Sequence, residues 1–223
     1  MPKEAVDCVI VGGGHNGLVA ACYLAKAGRS VVVLEARNVV GGAAISAQVF
    51  DGVDARLSKY SYLVSLLPAH IREDLDIELT TARRTVSSYT PDPQDPSRGL
   101  CVPTDDGPAF DAEMERLAGS AHDAEAWRDF YARTAAMAQR VFPTLTEPLR
   151  SREEMRSLVD DDDAWTDFIE RPLGEVIERT FDNDVVRGIV LTDALIGTFA
   201  SAHDASLLQN RCFLYHVIGN GTG

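Results

Sequence analysis

Two short apolar runs flank an amphipathic segment in the first 34 residues of the chain. Residues 9–11 and 31–34 are continuous branched apolar runs, which are typical of strands buried in a parallel sheet. Residues 18–27 place apolar side chains at helical spacing, so we expect a helix that packs on these strands. This order predicts a strand–helix–strand unit.

The pattern changes after residue 80. Residues 80–89 are rich in Thr, Val, Ser and Tyr, and an apolar run resumes at residues 99–102 after three prolines, which predicts a hairpin with a stiff loop. From residue 111 onward, apolar positions recur at helical spacing. The predicted helix faces are Trp127, Phe130, Tyr131, Thr134, Ala138 and Val141, ending before Pro143; Leu173, Val176, Ile177 and Phe181; and Val186, Ile189, Val190 and Ala194.

A glycine-rich turn joins the first strand to the first helix, with the sequence Gly-Gly-Gly-His-Asn-Gly at residues 12–17. In a dinucleotide-binding turn, Gly12 permits the tight turn, Gly14 lets the backbone approach a pyrophosphate, and Gly17 allows close packing of helix on strand. The pyrophosphate would lie over unpaired N–H groups at the helix N-terminus. The alternative is a glycine-rich turn that binds nothing.

An acidic residue, Glu35, ends the second predicted strand 18 residues after Gly17, where a ribose-binding acid is expected. A carboxylate accepts hydrogen bonds from ribose hydroxyls but repels a 2′-phosphate, which disfavours NADP and leaves NAD or FAD. An ordinary surface carboxylate is the alternative for Glu35. Its alignment with the glycines favours the nucleotide site.

A glycine pair, Gly41 and Gly42, follows six residues after Glu35 and resembles the second FAD-binding motif of flavoprotein oxidases and desaturases. Residues 58–68, 192–197 and 216–219 are further similar to the phytoene-desaturase-like branch of that superfamily. The resemblance implies an FAD-dependent oxidoreductase that removes a hydride equivalent from a small or lipophilic organic substrate.

The resemblance also implies which residues bind the cofactor. It places Gly12, Gly14 and Gly17 at the pyrophosphate and Glu35 on the adenosine ribose. The later glycine pair would lie under the phosphates. Ala43 stands where many amine-oxidase relatives carry an arginine, so backbone donors or other residues must meet the phosphate charge. The implied set is Gly12, Gly14, His15, Asn16, Gly17, Glu35, Ala36, Arg37, Gly41, Gly42, Ala43 and Ala44.

The fold class that follows is α/β, with a Rossmann-like FAD-binding βαβ unit that is incomplete in this chain. We expect the N-terminal part of the FAD-binding domain at residues 1–66, and the N-terminal part of an α+β substrate domain with a β-hairpin and a helical cap at residues 67–223. A doubly wound sheet needs more parallel strands than these two. Either a second polypeptide completes the fold or the chain is part of a longer protein, and we favour the heteromer.

Catalytic residues are weakly marked, because a flavin carries the redox chemistry and the protein need only orient the substrate and exclude water. The candidates are Tyr62, after the glycine pair, and His203 and His216, in a segment that resembles the approach to the flavin in this family. A packed aromatic is an equal alternative for Tyr62, whereas an isolated His203 or His216 is more often a structural residue. His15, in the phosphate turn, is expected to position the cofactor rather than act as a base.

Composition excludes several function classes. A net charge of −13 with a pI near 4.7 disfavours nucleic acid and anionic membranes as partners. No run approaches the ~20 apolar residues of a membrane span, and the first strand begins too early for a signal peptide. Four separated cysteines predict buried thiols in the cytoplasm and no metal site. Two other functions remain open: a non-catalytic nucleotide-binding subunit, or a fragment of an NAD-binding dehydrogenase.

Overall fold

The chain forms two compact units, Met1–Leu79 and Thr80–Gly223. The structure is a computed structural model, and it describes residues 5–60, 64, 67–104, 107–119 and 121–219. The first unit extends past residue 66 because helix α2 (Ala69–Asp74) is tied to helix α1 (His15–Lys26). The Tyr23 hydroxyl donates to Asp74 Oδ2 at 2.7 Å, and Lys26 Nζ donates to the Asp74 carbonyl.

The first unit begins with the predicted strand–helix–strand motif. Strands β1 (Cys8–Val11) and β2 (Val31–Leu34) flank α1 in sequence and pair in parallel, with Cys8 opposite Val31 and Val11 opposite Leu34. Two short strands follow, β3 (Ser46–Ala47) and β4 (Leu57–Ser58), which pair antiparallel. The α/β prediction of an incomplete Rossmann-like unit is confirmed.

The sheet of this unit remains largely uncovered, in contrast to the predicted buried strands. Val9 is 56%, Val11 is 86% and Leu34 is 53% exposed, and α1 has no fully buried residue. The reason is the width of the sheet, because β1 and β2 pair only with each other among the described strands. A fully apolar strand needs cover on both faces, which two strands and one helix do not provide.

The second unit opens with the predicted hairpin. Strands β5 (Val86–Pro91) and β6 (Gly99–Pro103) pair antiparallel, with an irregularity between Val86 and Ser88. The first strand begins six residues later than predicted. Its partner strand explains the difference, because Pro103 stands opposite Val86 and, lacking an N–H group, ends the regular ladder there.

Helices form the rest of the second unit. The helix α5 (Arg152–Val159) begins with a capping box, in which the Ser151 and Glu154 side chains each accept the other residue's backbone N–H. Residues 160–163 lead directly into the next helix, α6 (Asp162–Trp165), because the Asp161 side chain accepts the Ala164 N–H at 2.8 Å and caps it. The helices are α3 (Pro108–Ala118), α4 (His122–Val141), α5 (Arg152–Val159), α6 (Asp162–Trp165), α7 (Leu173–Thr180), α8 (Asp184–Leu195) and α9 (Leu208–Gly219), with a 3-10 turn at Phe142–Thr146 and a π turn at Thr166–Glu170.

The core of this unit is aromatic and centres on Phe130 of α4. Its ring lies 5.5 Å from those of Phe168 and Phe181 and 5.9 Å from that of Phe213, measured between centroids. The predicted helix faces are confirmed, with half-buried members at their edges. The buried members are Phe130, Thr134, Ala138, Leu173, Val176, Ile177, Phe181, Val186, Val190 and Ala194, and the half-buried ones are Trp127, Tyr131, Val141 and Ile189.

Two buried acids complete the core. The carboxylate of Asp123, fully buried in the first turn of α4, accepts the backbone N–H groups of Asp182 and Asn183 at 2.9 Å each. Asp167 pairs with Arg133 at 2.8 Å and with Arg179. Buried charges need such partners, since an unpaired one is costly.

The central position of Phe130 makes it decisive for stability. Phe130→Ala should lower the free energy of unfolding by about 3–5 kcal/mol, because it removes a ring packed against those of Phe168, Phe181 and Phe213. Phe199→Ala is the matched control, since Phe199 is fully exposed and its loss should change stability by less than about 0.5 kcal/mol. Denaturant unfolding of both variants checks the difference, and equal losses would contradict this core.

Candidate functional site

The turn between β1 and α1 has a backbone that only glycine fits at two positions. Gly12 has φ +101°, and its N–H donates to the Leu34 carbonyl at 2.7 Å. A Cβ on Gly17 would stand 2.3 Å from the Gly12 carbonyl oxygen, so no larger residue fits there without moving the turn. The first turn of the helix is thereby brought directly against the strand end.

Gly14 differs from these two glycines, because it has ordinary backbone angles and open space. Its φ is −75°, and the nearest atom to an added Cβ is the Gly42 Cα at 3.8 Å. Gly14 is the N-cap of α1, makes no side-chain cap and is followed by no acid in the first turn. The N–H groups at this helix end are therefore suited to an anion.

The second glycine pair lies directly on the first turn. The Gly41 N–H donates to the Gly13 carbonyl at 2.7 Å, and Gly14 and Gly41 form a parallel bridge. Gly41 and Gly42 have φ of +120° and +59°, and a Cβ on Gly42 would stand 2.9 Å from the Gly14 Cα. Both positions therefore need glycine for conformation, and Gly42 also for close approach.

Glu35 connects the end of β2 to the same turn. Its Oε1 accepts the Arg37 N–H at 2.9 Å, and its Oε2 accepts the Gly13 N–H at 2.7 Å. These hydrogen bonds lower the pKa of Glu35 and keep its carboxylate ionised. A carboxylate has about four lone-pair positions, so these hydrogen bonds leave capacity for a further donor.

Gly13 is a site residue that the sequence motif did not single out. It is buried, and a Cβ there would stand 2.9 Å from Val40 Cγ1 and 3.2 Å from Glu35 Oε2. Its peptide groups are held from two sides, by Glu35 and by Gly41. The signal was present in the sequence, because Gly13 is the middle one of three consecutive glycines, but the spacing of the motif assigns it no task.

The other predicted cofactor-binding residues border these turns. His15 and Asn16 begin α1 and are exposed. The remaining members lie on the exposed surface of the loop that follows β2, namely Ala36, Arg37, Ala43 and Ala44. The structure therefore brings the whole predicted set to the end of β1 and β2.

The predicted catalytic candidates have different surroundings. Tyr62 lies outside the described residues. The His203 ring packs on Gly174, where an added Cβ would stand 2.8 Å from it, and His203 Nε2 lies 2.8 Å from Glu178 Oε1. His216 Nδ1 lies 2.9 Å from the Cys212 carbonyl within α9. His203 thus fastens a loop to α7, while His216 belongs to another part of the unit.

One group with metal-binding side chains occurs in the described part of the second unit. Ligand atoms of His122, Asp123 and Asp182 lie within 4.8 Å of one another. Asp123 is fully buried, however, and both of its oxygens accept backbone N–H groups. These hydrogen bonds explain why the three side chains lie together, since they hold the turn before α8 against the start of α4.

None of the described helices is both long and apolar enough to cross a membrane.

Comparison with known proteins agrees with this geometry. Residues 10–71 match the NAD(P)-binding Rossmann-like domain family. An uncharacterised protein of Mycobacterium tuberculosis is 49% identical over 97% of this chain and 42% of its own length. Pyridine nucleotide-disulfide oxidoreductase domain-containing protein 2 of Rattus norvegicus is 28% identical over 99% of this chain and 42% of its own length. The chain thus spans about two fifths of these relatives.

Two further similarities concern flavin amine oxidases and desaturases. A 15-cis-phytoene desaturase of an Oncidium hybrid is 51% identical over 41 residues, or 18% of this chain and 7% of that protein. A solved structure of a putrescine oxidase variant matches 97% of this chain and 44% of its own chain, with a TM-score of 0.54 and 20% identity, which shows a shared fold. The chain is similar to members of the flavin amine oxidase and desaturase superfamily, and it covers part of the length of these relatives.

Proposed function

We propose that this chain binds FAD and forms the N-terminal part of a flavin-dependent oxidoreductase, which removes a hydride equivalent from a small or lipophilic organic substrate. The observation that carries the proposal is the stacking of two glycine turns, with Gly41 bonded to Gly13 and Gly42 against Gly14. The second turn supports FAD, because the flavoprotein motif that it resembles passes back over the pyrophosphate.

The residues present fit FAD. The free space at Gly14 and the N–H groups at the start of α1 would accept the pyrophosphate, while the remaining lone pairs of Glu35 would accept ribose hydroxyls. Bound flavin would supply the hydride acceptor. The chain's own residues would hold the nucleotide and orient it.

The reaction class is supported by relatives named for desaturation of phytoene and oxidation of putrescine. The substrates in these names differ, so we propose only the chemistry that they share, which is removal of a hydride equivalent from the substrate. Oxygen, a quinone or another acceptor would then take up the electrons. One observation favours a second candidate, an NAD-binding dehydrogenase, because the family matched at residues 10–71 is described as NAD(P)-binding. Bound flavin in the purified protein, reduced on addition of substrate, would distinguish the first candidate from the second.

We also propose a reducing compartment, the cytoplasm, for this protein. Its four cysteines are free thiols. The prediction that all four are buried is wrong, since Cys22 is exposed and the others are half-buried. An exposed free thiol persists where glutathione and thioredoxin keep it reduced, which supports the proposed location.

Gly14→Ala tests the position of the phosphates. The added methyl group meets nothing closer than 3.8 Å, so stability should change by less than about 1 kcal/mol, while FAD binding is lost because the methyl fills the space of the pyrophosphate. Gly188→Ala, also in open space but in the second unit, should retain flavin. Thermal unfolding and flavin content check both variants. Normal flavin content in a folded Gly14→Ala protein would exclude this placement.

Glu35→Gln tests the ribose contact. Gln can still accept the Gly13 N–H, but its amide N–H₂ then faces the Arg37 N–H, and the charged acceptor for ribose is gone. We expect the affinity for ADP and FAD to fall by about tenfold or more. Glu73→Gln on α2, an exposed acid of the same unit, is the control. Calorimetric titration measures both affinities, and an unchanged value for Glu35→Gln would place the ribose elsewhere.

We propose further that a second polypeptide completes the FAD-binding and substrate domains. The exposed apolar residues Val9, Val11 and Leu34 support this proposal, because such a sheet is stable when further strands or helices cover it. Mass spectrometry of the intact complex from native cells should show this chain, FAD and a second chain. A flavin-loaded monomer of this chain, or one longer polypeptide that contains it, would contradict the two-chain assembly.

A further inference from the structure

The turn between β1 and α1 contains a pair of residues with a chemistry of its own. Asn16 is followed directly by Gly17 at the start of α1. An asparagine before glycine is prone to deamidation, because glycine has no side chain that hinders attack of its backbone nitrogen on the neighbouring amide. The other described asparagines, Asn38, Asn183 and Asn210, precede Val, Asp and Arg. Asn16 is therefore the described asparagine with the least hindered neighbour.

The side chain of Asn16 is free to react. It is exposed, and its amide forms no hydrogen bond or ion pair with a residue in the described part of the chain. Asn210 is the opposite case, since it is buried and its amide donates to the Phe168 and Arg171 carbonyls. No such bond must break before the Asn16 amide can turn toward the backbone.

The attacking nitrogen, that of Gly17, is also free of helical hydrogen bonds. The Leu18 N–H donates to the Gly14 carbonyl at 2.9 Å. Gly17 precedes Leu18, and its N–H has no backbone partner among the described residues, as is usual in the first turn of a helix. Helix ends fray at the lowest cost, so this nitrogen can reach the Asn16 side chain.

We propose that Asn16 is a deamidation site, that its reaction inactivates the nucleotide site, and that a bound nucleotide protects it. The Gly17 nitrogen attacks Asn16 Cγ and forms a C–N bond. The bond from Cγ to Nδ2 breaks, and ammonia leaves with the proton of the Gly17 nitrogen. Water then opens the cyclic imide to aspartate or isoaspartate, so the sum is one water consumed, one ammonia released and no change of oxidation state.

The product changes the charge at the start of α1. The first turn of this helix contains no acidic residue, which suits its N–H groups to an anion. Aspartate at position 16 adds a negative charge there, and isoaspartate also lengthens the backbone of the turn by one atom. Both products would oppose the binding of a pyrophosphate, which carries the same sign of charge.

The nucleotide and the reaction compete for the same atom. In the proposed FAD site, the unpaired N–H groups of the first turn, including that of Gly17, donate to the pyrophosphate, and a nitrogen held in this way does not attack Asn16. This step rests on the proposed function. The empty chain therefore loses Asn16 with time, whereas the loaded chain retains it.

Timed incubation of the purified chain, with and without ADP, tests the proposal. Peptide mass mapping measures conversion of Asn16 to the acid, with Asn38 as the internal reference, and calorimetric titration measures ADP binding at each time. We expect conversion of Asn16 well ahead of Asn38 and a parallel loss of ADP binding. ADP at about ten times its Kd should slow the conversion about tenfold, since only the empty chain reacts.

Three variants separate the chemistry from its effect. Asn16→Asp copies one product and should bind ADP about tenfold more weakly than the wild type. Asn16→Gln forms a cyclic imide far more slowly, so its ADP binding should not decline during the incubation. Asn183→Asp makes the same change at the N-cap of α8, where both residues cap well, and should leave ADP affinity unchanged.

Three outcomes would overturn this inference: conversion of Asn16 no faster than that of Asn38, equal rates with and without saturating ADP, or wild-type ADP affinity in Asn16→Asp. The mass measurement does not depend on flavin or nucleotide. A chain that converts at Asn16 but never binds ADP or FAD would contradict the proposed function, whereas a chain that binds ADP and keeps Asn16 intact when empty would contradict the deamidation site alone.

Discussion

The first unit depends on how one residue, Gly13, is held between two turns. Its N–H is bound by the Glu35 carboxylate and its carbonyl by the Gly41 N–H, both at 2.7 Å. These two bonds connect the end of β1, the end of β2 and the loop that follows. Because they are made within the protein, the shape of the proposed phosphate site is set before any ligand arrives, which limits the ordering cost of binding.

Sequence patterns were most informative where one physical cause determines the local structure. The βαβ unit followed from apolar runs and glycine spacing, and the helix faces around Phe130 followed from periodicity. The late start of β5 did not follow, because it depends on Pro103 in the partner strand. The tasks of Gly13 and Asp123 were also missed, since their partners lie 22 to 60 residues away in sequence.

Exposure of β1 and β2 shows a second limit of such patterns. An apolar run predicts a strand that is buried on both faces, but the strand is buried only if other elements cover the sheet. In this chain Val11 remains largely exposed although its sequence context is that of a central strand. The same reasoning explains why the nucleotide turns are well formed while their sheet is narrow, since the turns are stabilised by local backbone contacts.

Asp123 has a consequence for the order in which the chain acquires its structure. Its carboxylate is fully enclosed, yet both of its donors, the N–H groups of Asp182 and Asn183, are made about 60 residues later during synthesis. Until that stretch has emerged from the ribosome, α4 carries an acid that must stay hydrated. Folding of the helical unit is therefore delayed until residues 182 and 183 have been made, while the glycine turns of the first unit can already form.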